Sequence, residues 1–260
     1  MAVREGVVKS VSFITNTTYF EESLAVLRRH PDISVGVHLN LTDGKPLSPP
    51  TNLRFLLNRK VTFLGSHSKV IWAVISHFTN LEHIKYEFEL QIKRLLNHNI
   101  NISHLDSHGY VHIIPPLFKI VSELARKFRI PFIRIPREKL SLGDYFSKWH
   151  FLGVNLLSKY IVSNLTDKQF KYTDHSFGLK DTGKLTKERL IEIIKQLSYG
   201  TTEIAVHPGY NSQTLSRMFK WNYSWYDELL ALTDKEVKEE IKRNKIDLVN
   251  FCKISKRLHL

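Results

Sequence analysis

Residues 33–42, Ile33-Ser34-Val35-Gly36-Val37-His38-Leu39-Asn40-Leu41-Thr42, alternate between aliphatic and small or polar side chains. A strand turns successive side chains to opposite faces. Val35, Val37, Leu39 and Leu41 therefore point one way, and Gly36, His38, Asn40 and Thr42 the other. Asp43-Gly44-Lys45-Pro46 and Ser48-Pro49-Pro50 then mark a loop.

On either side of this strand the period changes. Residues 20–29 predict a helix with Phe20, Leu24 and Leu27 on one face, and residues 80–97 an amphipathic helix with Leu81, Ile84, Phe88 and Leu95 in line. Ile102 to Asp106 predicts a strand. Pro115-Pro116 opens a helix through Phe128. Residues 131–135 predict a strand closed by Pro136, and 145–164 and 185–197 predict helices, the second ended by Gly200. Thr202 to Val206 predicts a strand ending in His207-Pro208-Gly209. Thr233-Asp234-Lys235-Glu236 has the spacing of a capping box that starts a helix, and Ile246 to Phe251 predicts a last strand. Strands alternating with helices build parallel βα units. The expected fold is α/β, a TIM-like (β/α) barrel first and an open doubly wound sheet second, as one domain over residues 1–260.

Composition agrees with a folded α/β chain: 42% of the 260 residues are apolar and 24% charged. The single cysteine, Cys252, excludes an internal disulfide and a CxxC zinc site. It fits a reducing compartment, so a cytoplasmic location is expected. Met1 to Lys9 has charges without an apolar core behind them, which is not a signal peptide. Every apolar stretch is interrupted well before the roughly 18 residues a spanning helix needs. The net charge of +13 attracts anions in general. Its lysines are scattered, and the basic tail from Lys235 to Arg257 is interleaved with acids, so no specific nucleic-acid partner is expected. A homodimer is compatible with the sequence, which does not select an oligomeric state.

Three histidine clusters lie at the C-terminal ends of predicted strands: His38, the run His104-Leu105-Asp106-Ser107-His108-Gly109-Tyr110-Val111-His112, and His207 in Val206-His207-Pro208-Gly209-Tyr210. In parallel α/β folds those ends share one rim, where sites are built. Each has a plain structural alternative: a satisfied strand histidine, a histidine-rich surface loop, a turn residue. If the strand stays extended, His104, Asp106 and His108 share one side. Imidazoles supply nitrogen ligands, and a carboxylate supplies oxygen or orients a ligand. Two histidines and a carboxylate around an open position suit metal-assisted hydrolysis of an amide or ester, with a further histidine to protonate a leaving amine. No GxSxG elbow or P-loop is present.

These segments resemble the YdjC-like carbohydrate deacetylases nearly end to end. Gly6-Val7-Val8-Lys9-Ser10-Val11-Ser12 with Asn16 is similar to the family's GIVTS-type stretch. Residues 35–42 with Gly44-Lys45-Pro46-Leu47 are similar to its GxHLNLTxGxPL motif. His104-Leu105-Asp106-Ser107-His108 with His112 resembles HxDSHHHVH, and Arg134-Ile135-Pro136-Arg137-Glu138 resembles RxPxE. Thr173-Asp174 with Phe177-Gly178-Leu179 resembles a later loop, and Glu203-Ile204 with His207-Pro208-Gly209-Tyr210 resembles EIxxHPGY.

The resemblance implies removal of acetyl groups from N-acetylated sugars, such as chitooligosaccharides, with a divalent metal, Mg2+ or Zn2+. It implies His38 and His108 as two of three protein ligands, His207 as the residue assisting proton transfer, Asp106 as the carboxylate that orients a ligand, and Arg134 as a residue that holds substrate or positions a carboxylate. Two departures stand out. Gly109-Tyr110 replace two histidines of the motif. The family's opening strand, which ends in a NADDFG-type motif with the third ligand and the catalytic base, has no counterpart before Gly6. The missing strand, loop and helix would amount to roughly 30 residues. Asp43, Asp106 and Asp174 are then the carboxylates to weigh as stand-ins. A catalytically inactive, glycan-binding relative is the alternative expectation, and a hydrolase of an acetylated lipid-linked sugar a third.

Overall fold

A computed structural model describes residues 1–139, 149–165, 170–219 and 221–257. In chain order the elements are β1 (Ser10–Phe13), α1 (Phe20–Arg28), β2 (Ser34–Leu39), α2 (His67–Ile75), α3 (Leu81–Leu96), β3 (Ile102–Ser107), α4 (Pro115–Lys127), β4 (Phe132–Ile133), α5 (Trp149–Ser163), β5 (His175–Phe177), α6 (Lys187–Lys195), β6 (Thr202–Ile204), α7 (Ser212–Met218), α8 (Trp225–Thr233), α9 (Lys235–Arg243) and α10 (Phe251–Arg257). Single 3-10 segments occupy Pro50–Leu56 and His108–Ile113. The start of the helix expected at 145–164 falls partly on residues 145–148, outside the described residues. No described helix is long and apolar enough to cross a membrane.

The chain forms two compact units, each discontinuous in sequence. The first comprises residues 10–134, 159–172 and 251–260; the second comprises 1–9, 135–158 and 173–250.

In the first unit β1, β2, β3 and β4 form a parallel four-stranded sheet in that order. The register pairs His38 with Asp106 and Leu105 with Ile133. It therefore sets the ends of β2, β3 and β4 side by side on one rim. Local signals start the helices. Ser66 caps α2 by accepting from Lys69 N, Asn80 caps α3 by accepting from Glu82 N, and Pro115 opens α4. Ile84, Phe88, Ile92 and Leu95 of α3 and Leu117, Val121 and Leu124 of α4 are fully buried, and the two helices pack together. Each such side chain contributes about 2 kcal/mol of burial.

In the second unit β5 and β6 pair in parallel, His175 with Thr202 through Phe177 with Ile204. Its core is Leu185, Leu190, Ile193, Ile194, Ala231, Leu232 and Val237, with Val7 and Val8 packed against it. The α/β class and parallel pairing match the sequence reading. Among the described residues the ladders are a four-stranded and a two-stranded sheet.

Three expected boundaries differ. The strand read as 33–42 ends at Leu39, because Asn40 leaves the ladder to build a turn. The capping residue of α9 is Asp234, which accepts from Glu236 N; Thr233 is the last residue of α8, its hydroxyl bonded to Leu229 O. The strand expected over Ile246 to Phe251 is absent. Ile246 packs on the second unit's core, while Phe251 begins α10 and lies against His104 and Phe132. The apolar side chains of this stretch are thus taken up by packing, Ile246 partly buried and Phe251 buried, without a ladder.

Candidate functional site

Asp106, near the end of β3, is buried, and three groups converge on its carboxylate. His38 Nδ1 donates to Oδ1 at 2.8 Å, Ser12 Oγ donates to Oδ2 at 2.9 Å, and the Arg134 guanidinium pairs with Oδ2. Burial would raise the Asp106 carboxyl, but the adjoining His38 and the Arg134 guanidinium outweigh it and hold it well below the usual carboxylate range. With Nδ1–H donating to Asp106, the neutral imidazole of His38 carries its lone pair on Nε2. A carboxylate on the far nitrogen of a metal-ligating histidine is the common arrangement for fixing tautomer and ring orientation.

His108 starts the 3-10 segment after β3. Its ring centroid is 5.5 Å from that of His38, edge to face. Its Nε2 lies 3.5 Å from Asp43 Oδ2. A third imidazole, His67 at the start of α2, sits 5.1 Å from His108. Gly109 and Tyr110 both take left-handed backbone conformations, at φ 62° and 56°. The strand thus turns sharply after Ser107, and His108 leaves the alternation that would have set it beside His104 and Asp106.

The loop carrying Asp43 is built by Asn40. Asn40 Oδ1 accepts from Thr42 N at 2.9 Å and Asp43 N at 3.1 Å, and its Nδ2 donates to Asp43 O at 2.7 Å and Asn16 Oδ1 at 2.9 Å. Gly44 follows at φ 73°, where a Cβ would meet Asn16 O at 2.7 Å. From α3, buried Gln91 bonds both backbone groups of Asn40, and buried Glu87 accepts from Leu47 N and Ser48 N. The Asn-x-Thr-x-Gly pattern is therefore a turn braced from α3.

The other two histidines of the second cluster are structural. His104 is buried between Ser12 Oγ at 3.0 Å from Nε2 and Ser103 Oγ at 2.8 Å from Nδ1, and burial pushes it down to about 3. His112 Nε2 donates to Arg134 O at 2.7 Å and Nδ1 accepts from Ser107 Oγ at 2.7 Å, and burial lowers it to about 4. His112 fixes the backbone of Arg134, whose guanidinium is engaged with Asp106.

His207 lies in the second unit. Its backbone N donates to the buried carboxylate of Glu228, which also accepts from Leu185 N at 3.1 Å; burial raises the Glu228 carboxyl. The His207 ring packs 5.3 Å from Tyr223. Asp174, also in this unit, accepts from Thr201 N at 2.8 Å and Thr201 Oγ1 at 2.7 Å. The structure therefore brings His38, Asp106, Arg134 and His108 into one unit with Asp43 and His67, and sets His207 and Asp174 in the other.

The donors fit a divalent ion in part. His38 is oriented as a ligand, with His108 beside it. Yet among the described residues no group of three or more His, Cys, Asp or Glu side chains is placed to hold a metal ion. The sequence reading passed over His67, an isolated histidine with no motif around it. It also passed over residues 219–226, where five of eight positions are aromatic, a density that could have drawn attention.

A sequence profile of the YdjC-like proteins matches residues 1–243. A carbohydrate deacetylase of Brevibacillus brevis is 30% identical over 254 residues, covering 97% of this chain and 91% of the relative. One of Thermoanaerobacter pseudethanolicus is 29% identical over 249 residues, covering 95% and 88%. A crystal structure of an Enterococcus faecalis V583 protein, described as a cellobiose-phosphate cleavage protein, superimposes with a TM-score of 0.75 at 23% identity, covering 97% of this chain and 90% of that one.

Proposed function

From the premise that this chain belongs to the YdjC-like family, we propose that it is a hydrolase that removes acetyl groups from N-acetylated sugars. The reaction adds water across an acetamido C–N bond and yields acetate and a sugar amine. The observation that carries this reading is the His38–Asp106 pair, a histidine whose outer nitrogen is fixed by a buried carboxylate next to a second imidazole.

In this proposal His38 and His108 hold a divalent metal, Mg2+ or Zn2+, which when bound polarises a carbonyl and acidifies a water. Asp106 orients His38 and keeps its Nδ1 protonated. Arg134 sets the Asp106 carboxylate and lends positive charge near the substrate. His207 passes a proton to the departing amine nitrogen, a task suited to an imidazole near neutral pH.

The test is acetate release from N,N′-diacetylchitobiose by the purified chain, with and without chelator and with His38→Ala. The expected result is release that falls at least a hundredfold in both controls. Acetate release indifferent to chelator and to His38→Ala would refute the metal role. No release from any acetamido sugar would refute the deacetylase reading.

A further inference from the structure

A second feature lies entirely within the second unit. The turn after His207-Pro208-Gly209 and the start of α8 enclose an open cavity of about 650 Å³. Its walls include Tyr210, Tyr223, Tyr226, Asn211, Gln213 and Asp227. Tyr210 is 73% exposed and Tyr226 41%, and their rings stand 6.3 Å apart, edge to face. Large aromatic side chains held in water beside a cavity of ligand size call for an explanation.

The walls are tied in place. Gly209 N donates to Trp225 O at 2.9 Å, Tyr226 N to Ser212 Oγ at 3.1 Å, and Ser224 N to Gly183 O at 2.7 Å. Asn211 caps α7 by accepting from Thr214 N at 3.1 Å. Gly209 packs closely on the cavity's neighbours: a Cβ there would lie 2.3 Å from Leu215 Cδ1, which would have to move, and 3.0 Å from Trp225 Cβ. The two exposed rings are thus presented by braced backbone, so a ligand would meet them with little ordering cost.

The chemistry of the lining narrows the ligand. The chain carries a net charge of +13, yet among the described residues the lining holds no lysine or arginine, and Asp227 is its charged member. A phosphate or other anion is therefore disfavoured. Among the described residues no aliphatic side chain lines the cavity, which argues against an acyl chain. Phenol faces beside amide, hydroxyl and carboxylate groups match a molecule with flat C–H faces and a rim of hydroxyls, which is a pyranose ring. Tyr223 joins the cavity to the candidate proton donor, because the same ring packs on His207.

We infer that this tyrosine-walled cavity is a carbohydrate subsite, in which Tyr210 and Tyr226 stack on a sugar ring and Asn211, Gln213 and Asp227 bond its hydroxyls. The inference rests on the sugar-substrate reading, and it adds a place within the second unit where a sugar ring is held.

The test is calorimetric titration of the full chain with N,N′,N″-triacetylchitotriose in chelator, so that binding is read apart from turnover. Tyr210→Ala and Tyr226→Ala are expected to weaken binding fivefold or more, with Tyr226→Phe within twofold of the parent. Gln213→Ala, at an exposed position where folding is not at stake, is expected to weaken it two- to fivefold. Binding indifferent to all of these substitutions, or no binding of the trisaccharide, would overturn the subsite. The deacetylase reading is judged separately by acetate release without chelator. Tyrosine-dependent binding without acetate release upholds the subsite and removes that reading; acetate release without tyrosine dependence does the reverse.

Discussion

Gly109 and the ring of His67 occupy adjoining space so closely that a Cβ on residue 109 would lie 2.0 Å from His67 Cδ2. The glycine also holds φ 62°, a conformation other residues adopt at a cost. The resemblance sets a histidine at this position, and the structure explains why this chain does not carry one: His67 fills the place. Gly109→Ala is expected to destabilise the protein by about 1–3 kcal/mol through strain and the displaced ring. It is also expected to alter the His67 and His108 imidazole resonances. Urea unfolding and histidine-selective NMR check both, and a variant that melts with its parent and leaves those resonances in place would contradict the packing.

Asp106 serves His38 and Arg134 at once, so its loss should be felt twice. Asp106→Asn keeps the shape but removes the charge that orients His38 and offsets Arg134. Losing the orienting carboxylate is expected to lower divalent-metal affinity by about 10–100-fold. Leaving Arg134 mostly buried without its carboxylate is expected to cost about 3–5 kcal/mol of stability. Titration with Zn2+ reads the first effect and denaturant unfolding the second. Retained affinity with lost stability would make Asp106 a structural ion-pair member only.

The fold was legible where periodicity and caps agreed. The spans of α3 and α4 follow from apolar spacing opened by Asn80 and by Pro115, and β2 and β3 from alternation. In the first unit the convergence of His38 and Asp106 was legible, because both lie toward the ends of strands that pair in a parallel ladder. What escaped the sequence was non-local. The end of β2 is decided by Asn40 bonding its own turn, and by Gln91, 51 positions away in sequence. Phe251, expected at the end of a strand, instead begins α10, and its burial comes from packing against His104 and Phe132. His67 has no signature near it and joins the site only because α2 begins beside Gly109. Residues 140–148, 166–169, 220 and 258–260 lie outside the described residues.

His104 and His112 are buried as neutral imidazoles, lowered to about 3 and about 4 by loss of solvent. Unfolded, each would titrate near 6.5. Between these values the unfolded state binds protons that the folded state does not, so stability is complete above about pH 6.5 and falls as pH drops. From pH 7 to pH 5 each histidine is expected to remove about 2 kcal/mol. Urea midpoints across pH 7.5 to 5 check the slope, on the order of two protons per molecule at its steepest. His104→Gln should flatten the slope by about half whatever its effect at pH 7. An unchanged slope would mean that His104 is not the group taking up the proton.

Glu87 links folding to the site at a distance. Its side chain is fully buried on α3, and it accepts from Leu47 N at 3.0 Å, Ser48 N at 2.7 Å and Gln91 Nε2 at 2.8 Å. Gln91 in turn holds Asn40, whose side chain shapes the turn that carries Asp43 toward His108. Glu87→Ala leaves one buried backbone donor, one part-buried backbone donor and one amide without their acceptor, at up to about 1–3 kcal/mol each before relaxation. Solvent entry into the loop would recover part of that. The expected net loss is about 3 kcal/mol, with faster amide exchange confined to residues 40–48. Because β2 and β3 do not depend on this brace, the His38–Asp106 hydrogen bond should survive, and the His38 Nδ1 proton should remain protected in NMR while the loop opens. If that proton exchanges as fast as the loop amides, the turn and the His38–Asp106 pair form one cooperative element, and the brace from α3 is part of what holds the site.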